Sequence, residues 1–412
     1  MKFRWNRWIE QIVVWSVLGV LFLSSILIIS LDAKRTANMP EQELINVSMN
    51  NKTNSENTNT NQSQNNNGAF DNDSNEDNSE NLGQSSNEEQ GYFPKQILAP
   101  FVDMVSWVDT ASDYSIFGVP DLKKFYNDTG CKYYNLGFIR CDNNQPLNAD
   151  GSIRWCWGGY YGLSPKGNDG YQYLGILKSI QNIREAGGDI IVSVGGQLGA
   201  APWTITTDVT DLKNMYLEII ETYNLKRLDL DIEEINQGYA NNVANAKAIK
   251  KVQDETGIEI VLTIPIMPYG WTETQKNLLR AYFGAGVNLT IINNMTMCYG
   301  AEVEPKEDFA EASIRATDNA KDQLIAILKE YSVDFTDEQA YSVLGATVDI
   351  GYENQANPIF TADLTQAVAD YAKEKNLAMF SYWCMNRDSL LQYNSAIDTQ
   401  YEHYNASKSF IN

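Results

Sequence analysis

The chain has 412 residues, 31 Lys and Arg against 53 Asp and Glu, a formal charge of −22 and a single histidine, His403. One histidine leaves no base for a Ser-His-Asp hydrolase and too little imidazole for most zinc sites, and the acidic balance argues against a nucleic-acid partner, whose phosphates need clustered Lys and Arg. A hydrophobic share of 43% allows a sizeable core, and an aromatic share of 11% offers flat apolar faces of the kind that stack on sugar rings.

In chain order, residues 11–31 carry no charge over 21 positions and come after Lys2, Arg4 and Arg7. A helix of that length rises about 30 Å, the thickness of a bilayer's hydrocarbon core. Residues 1–32 therefore read as a cytoplasmic stub and an uncleaved transmembrane anchor, with the N-terminus inside. A cleaved signal peptide is the competing reading, with Leu31-Asp32-Ala33 a weak small-x-small site. Either way, the remainder of the chain is exported, to the outer face of the membrane or beyond it. Residues 33–96 change character: 15 of the 45 residues from Asn46 to Gln90 are Asn, and no Lys or Arg occurs from Thr53 to Pro94. Such a segment cannot offset its chain entropy by burial and reads as a disordered linker of about 45 Å r.m.s. span. Self-association of its Asn tract is the alternative.

Residues 97–412 read as one folded unit, with 24 basic and 41 acidic side chains, about −17. That charge favours a neutral or cationic partner. β-rich runs at 101–107, 133–138, 189–194, 227–231, 258–264, 289–297, 343–349 and 377–383 alternate with helix-like stretches at 173–186, 211–223, 240–256, 272–283, 307–331 and 361–375. Strands separated by helices pair in parallel, and eight such units in about 300 residues are what an α/β fold of the (β/α)8 TIM-barrel type requires. An open doubly wound sheet would want a GxGxxG after an early strand, which is lacking. The five cysteines are too scattered for a metal knuckle or a disulfide scaffold, although Cys141 and Cys156 flank a loop-like stretch and could pair in an oxidising compartment.

The fourth predicted strand reads Arg227-Leu228-Asp229-Leu230-Asp231-Ile232-Glu233-Glu234. Side chains alternate across a strand, so Asp229, Asp231 and Glu233 share one face and Leu228, Leu230 and Ile232 the other. An isolated strand of this pattern would turn its acids to solvent. In a barrel the leucines meet the outer helices, and the acids climb the interior toward the C-terminal mouth. Like charges crowded out of water cannot all stay ionised, so one member should be protonated near neutral pH. Glu233, nearest the mouth, is the natural proton donor, and Asp231, about 6–7 Å lower, is placed to steady a developing positive charge.

These residues resemble the DxxDxDxE signature of family-18 glycoside hydrolases, the chitinases and related endo-N-acetylglucosaminidases. Ser193-Val194-Gly195-Gly196 resembles the family's SxGG motif on the third strand, and Trp383 in Ser381-Tyr382-Trp383 resembles the tryptophan that floors its sugar pocket. Residues 155–159, 295–300 and 386–388 look like a prokaryotic chitinase branch. The resemblance implies substrate-assisted retention, with Glu233 as acid, the sugar's own N-acetyl oxygen as nucleophile, Asp231 holding the oxazolinium ion and Asp229 sharing a proton with it. It implies no metal and no organic cofactor. Two departures stand out. Lys226-Arg227 replaces the first acid and its Gly, and the Met-x-Tyr-Asp that often ends the sixth strand becomes Met297 and Cys298 in one register, or Met297 and Tyr299 in another.

Tyr299 is expected as the acetamido contact. Trp383, Met297, Met267, Tyr269 and Trp107, with Asp109 beside it, are expected to line the pocket, together with Ser193, Gly195 and Gly196; the glycines serve equally for tight turning. The expectation is a monomeric, membrane-tethered glycosidase that cuts β-1,4 bonds at N-acetylglucosamine in chitin or chito-oligosaccharides. An endo-β-N-acetylglucosaminidase on glycans or wall polymer, a non-catalytic carbohydrate-binding barrel and a metal-dependent carboxylate barrel are the rivals.

Overall fold

The computed structural model describes residues 93–167, 170–304, 306–352, 359–392 and 396–412; the expected membrane helix and most of the linker lie outside them. Among the described residues no helix is long and apolar enough to cross a membrane. Strands Tyr133–Cys141, Asp189–Gly195, Arg227–Asp231, Glu259–Pro265, Leu289–Met295, Leu344–Asp349 and Met379–Trp383 form at the β-rich runs. Helices Tyr171–Glu185, Val209–Tyr223, Tyr239–Thr256, Glu273–Gly284, Phe309–Glu330 and Ala362–Glu374 fill the intervals. Their starts are chemically marked: Asp208 accepts from the backbone N–H of Thr210 and Asp211, and Thr272/Gln275 and Asp308/Glu311 form capping boxes. The helix Leu122–Thr129 is an addition that the periodicity does not predict.

The first expected strand is shorter than residues 101–107. It splits into Ile97–Leu98 and Phe101–Asp103, and the Ser106 N–H turns back onto the Asp103 carbonyl. These two pieces end the strand path of a curled, ten-stranded sheet. From Ile97–Leu98 the path runs through Met379–Trp383 and back down the chain order to Tyr133–Cys141 and Phe101–Asp103, each neighbour parallel. Only Ala99 and Pro100 separate the two end pieces. The Ala99 N–H donates to Phe380 O (3.1 Å) on one side, and Pro100 O accepts from the Asn135 N–H (3.0 Å) on the other. Trp155–Trp157 adds an antiparallel edge to Tyr133–Cys141. Its register places Cys141 opposite Trp155 and Cys156 opposite Arg140, so the two sulfurs leave opposite faces. Both thiols are free and buried, and the disulfide considered from their spacing is not formed.

Period-two alternation sorts the sheet into two cores. Leu228, Leu230 and Ile232 join the large core between sheet and helices. The other face is layered. Ile191, Val261, Ile291 and Met379 make an apolar floor with Phe93, Ile97 and Ala99. Two residues further along their strands stand Ser193, Thr263, Asn293 and Ser381, all buried and polar. Two further again, Pro265, Met295 and Trp383 line a cavity. Phe93 closes the floor: its ring meets Tyr133 edge-on at 5.5 Å and lies 4.5 Å from the Arg227 guanidinium, which donates to Glu259 at 2.7 Å. Thus the Lys226-Arg227 departure lies at the floor, away from the mouth.

Phe93→Ala in the full chain is expected to lower stability by about 3–5 kcal/mol, the range for deleting a buried Phe side chain. Chemical denaturation checks this, and a loss under about 0.5 kcal/mol, as at a surface site, would remove Phe93 from the core.

Candidate active site

The fourth strand ends at Asp231, and Glu233 continues in extended conformation (φ −133°, ψ 171°) before a 3-10 turn, Glu234–Gln237. Asn236 fastens that turn. Its side chain accepts from the Ala201 N–H (3.0 Å) and donates to Gly196 O (3.1 Å), while its own carbonyl accepts from the Trp203 indole and the Asn242 amide (both 2.8 Å). The SxGG segment thus reaches the acids through backbone. Gly196 N–H donates to Asp231 O (3.1 Å), and a Cβ on Gly195, at φ +122°, would lie 2.0 Å from that same oxygen. Only glycine permits this approach.

The three carboxylates share the inner face. Asp229 is fully buried and accepts from Ser193 Oγ (2.6 Å) and Thr263 Oγ1 (2.7 Å). Asp231 and Glu233 line a cavity of about 360 Å³, walled also by Phe101, Phe138, Met267, Met297, Cys298 and Trp383. Asp231 is 3% exposed, and its Oδ1 has no hydrogen-bond partner among the described residues. Burial, and then the charge of Glu234, push Glu233 up to about 7. Burial first, then the Glu233 and Asp229 charges, hold Asp231 well above the usual carboxylate range. Burial also raises Asp229, to about 7, against the pull of the two hydroxyls. Burial and mutual repulsion thus favour holding a proton within the cluster near neutral pH, the state a general acid needs.

Trp383 stacks on Phe138, with ring centroids 5.5 Å apart and planes at 17°, and meets Phe101 at 6.1 Å. Met267 and Met297 join the wall as expected from their positions. Ser193, Gly195 and Gly196, also expected as lining, lie outside this wall: Ser193 is buried on Asp229, and the two glycines pack by backbone against Asp231. Tyr299, Trp107 and Tyr269 are placed elsewhere. Tyr299 is 2% exposed and stacks on Phe309, because Cys298 takes a left-handed φ of 57° that turns the next side chain out of the cavity; Met297 and Cys298 line it instead. Trp107 is not in the cavity wall. The chain leaves the sheet at Asp103, and the indole lies over Gly118, while Asp109 accepts from the Ala111 N–H in the same loop. Tyr269, at the tip of the tight Met267–Gly270 turn, is half exposed and outside the wall.

Motif and spacing assign no role to Asp349 and Arg387, yet the two form an ion pair in the cavity wall. Burial pushes Asp349 up to about 7 despite Arg387. A signal for it is present in the sequence: Gly345, Thr347 and Asp349 share a face of the seventh strand, which ends there, as the fourth ends at Asp231. Among the described residues no group of His, Cys, Asp and Glu converges as a metal site. His403 is buried against the helix Ala362–Glu374, with Nδ1 2.7 Å from Thr365 Oγ1, and burial lowers it to about 4.

Asp231→Asn tests the strain in the cluster. Because the folded value lies above the unfolded one, the ionised form is disfavoured only in the fold. The penalty is absent below the ordinary value of 3.8 and grows as pH rises above it. The variant is expected to melt higher than the parent at pH 8, with the gain vanishing toward pH 4; a gain independent of pH would contradict this.

No protein-family model matches the chain. In sequence it is similar to a probable bifunctional chitinase/lysozyme of Escherichia coli (strain K12), 28% identical over 309 residues, 72% of this chain and 31% of that protein. It is also similar to endochitinase 11 of Metarhizium anisopliae, 27% identical over 304 residues, 72% of this chain and 53% of that protein. The chain thus spans about a third and about half the length of these relatives. Its fold matches the catalytic domain of a hyperthermophilic chitinase from Pyrococcus furiosus with a TM-score of 0.63 at 23% identity, over 78% of this chain and 96% of that one. In sequence the chain is thus similar to chitinases and in fold to a chitinase catalytic domain, and the motifs around its cavity are those by which it resembles glycoside hydrolase family 18.

Proposed function

We propose that the curled sheet is a closed (β/α)8 barrel and that its cavity hydrolyses β-1,4 bonds next to N-acetylglucosamine, in chitin or chito-oligosaccharides, with retention. The observation that carries this reading is the pair Glu233 and Asp231 in one cavity with an aromatic floor at Trp383, both held above the usual carboxylate range. An apolar wall with a few convergent polar groups suits a sugar ring, which offers flat C–H faces and hydroxyl edges.

In the first step Glu233 gives its proton to the glycosidic oxygen as the C–O bond breaks. The acetamido oxygen of the sugar bound in the cavity attacks that sugar's own anomeric carbon. Asp231 orients the acetamido group and stabilises the oxazolinium ion. In the second step the Glu233 carboxylate takes a proton from water, whose oxygen opens the ring at the anomeric carbon, and the acid is restored. No enzymic nucleophile is needed. The Pyrococcus furiosus domain, which has also been solved with chito-oligosaccharides, points the same way.

Tethering of this domain outside the cell by the apolar segment at residues 11–31, and a monomeric state, remain part of the proposal on sequence grounds. A wall polymer rich in anionic groups fits less well with the acidic balance of residues 97–412.

A fluorogenic chitobiose or chitotriose substrate tests the proposal. Glu233→Gln is expected to lose at least about 100-fold in rate, the contribution of a positioned general acid. Parent activity is expected to fall as pH rises through about 7, where Glu233 loses its proton. A parent that binds chitin without cleaving it would instead make the protein a carbohydrate-binding barrel.

A further inference from the structure

At the base of the cavity, whose wall includes Thr263 and Thr347, buried polar side chains are joined by hydrogen bonds that run across four strands. Thr347 Oγ1 donates to Asn293 Oδ1 (2.9 Å), Asn293 Nδ2 donates to Thr263 Oγ1 (3.0 Å), and Thr263 Oγ1 donates to Asp229 Oδ1 (2.7 Å). Ser193 Oγ fills Asp229 Oδ2 from the other side (2.6 Å). Ser193, Asp229, Thr263, Asn293 and Thr347 are each 1% exposed or less.

The direction of this chain is set by chemistry. A carbonyl oxygen cannot donate, so the Thr347 hydroxyl must point its hydrogen at Asn293. That orients the amide, whose N–H then occupies a lone pair of Thr263, and the single Thr263 hydrogen is committed to Asp229. Both Asp229 oxygens thereby accept, whereas the buried Asp231 Oδ1 has no such donor among the described residues.

We infer that Thr347, Asn293 and Thr263 form a directed relay that keeps Asp229 ionised and leaves the proton of the Asp229–Asp231 pair on Asp231. Asn293 and Thr263 are then positioning residues for the hydrolysis proposed above, on which reading their catalytic consequence rests. The ordering of affinities agrees: the two hydroxyls pull Asp229 down against burial, while Asp231 is driven up by burial and by both neighbouring acids. The other charged groups around the pair are Glu233 and Glu234 on the same segment, and Asp349 with Arg387 in the wall of the same cavity. None of these is a member of the relay, so relay variants change no charge.

The test compares the full-length parent with Thr263→Val, Asn293→Leu and Thr263→Ser, which keeps the hydroxyl. Two readouts are taken: the pH profile of kcat/KM on chitotriose, and the protonated-carboxyl carbonyl band in infrared difference spectra. Removing a donor makes the first ionisation of the pair harder. Thr263→Val and Asn293→Leu are therefore expected to move the acid limb of the profile up by about one pH unit, with about a tenfold loss of kcat/KM on that limb. Thr263→Ser should restore both. An unmoved acid limb with merely lower activity, or a serine that fails to rescue, overturns the relay. If the parent cleaves nothing, the hydrolase reading fails, and the infrared titration alone decides the relay: an upward shift in Thr263→Val supports it, and an unchanged titration overturns it.

Discussion

Three carboxylates on one inward strand face are the constraint on which the rest of the structure turns. Packing Leu228, Leu230 and Ile232 against the helices leaves Asp229, Asp231 and Glu233 no face but the interior. Two responses are available there: compensating cations, or protons. With no cation beside them among the described residues, burial and mutual repulsion favour protons. Arg227 is committed to Glu259 at the floor and Arg387 to Asp349 at the wall, while the acids meet hydroxyls and one another. Left without a cation, such groups rise toward neutral affinity, which makes acids of them at physiological pH at some cost in stability.

The layering of the inner face arises from that constraint. An apolar floor supplies burial that the acids cannot, and a polar layer above it gives Asp229 its donors. Above them the cavity lined by Asp231 and Glu233 remains, and the buried Asp231 Oδ1 has no hydrogen-bond partner among the described residues. Phe101, Phe138 and Trp383 form a continuous aromatic surface in the same cavity. One part of the wall thus carries carboxyls, and another presents flat apolar rings.

Much of this was legible in the sequence because it depends on period and spacing. Alternating strand and helix patterns locate the sheet, and DxDxE on an amphipathic strand locates the acids once both sheet faces are indoors. What depends on where a chain leaves its strand was not legible. Tyr299 faces away because a single left-handed residue, Cys298, intervenes. Trp107 leaves with a strand that stops at Asp103, and the Cys141–Cys156 pairing fails on a register that only the folded hairpin displays. Thr263, Asn293 and Thr347 carry no motif; their role exists only because parallel register sets Asn293 beside Thr263 and leaves Thr347, two residues along the next strand, within hydrogen-bond reach of the Asn293 amide. Asp349 could have been found by applying to the seventh strand the face-counting applied to the fourth.

The central claim of the proposed mechanism is that the anomeric carbon undergoes two successive displacements, the first by the sugar's own acetamido oxygen, and not one direct attack by water. Proton NMR of the first products released from chitohexaose reads the anomer before mutarotation. Two successive displacements at that carbon require the β-anomer to appear first. Initial release of the α-anomer would mean direct attack by water and would contradict the substrate-assisted role assigned to Asp231 and Glu233.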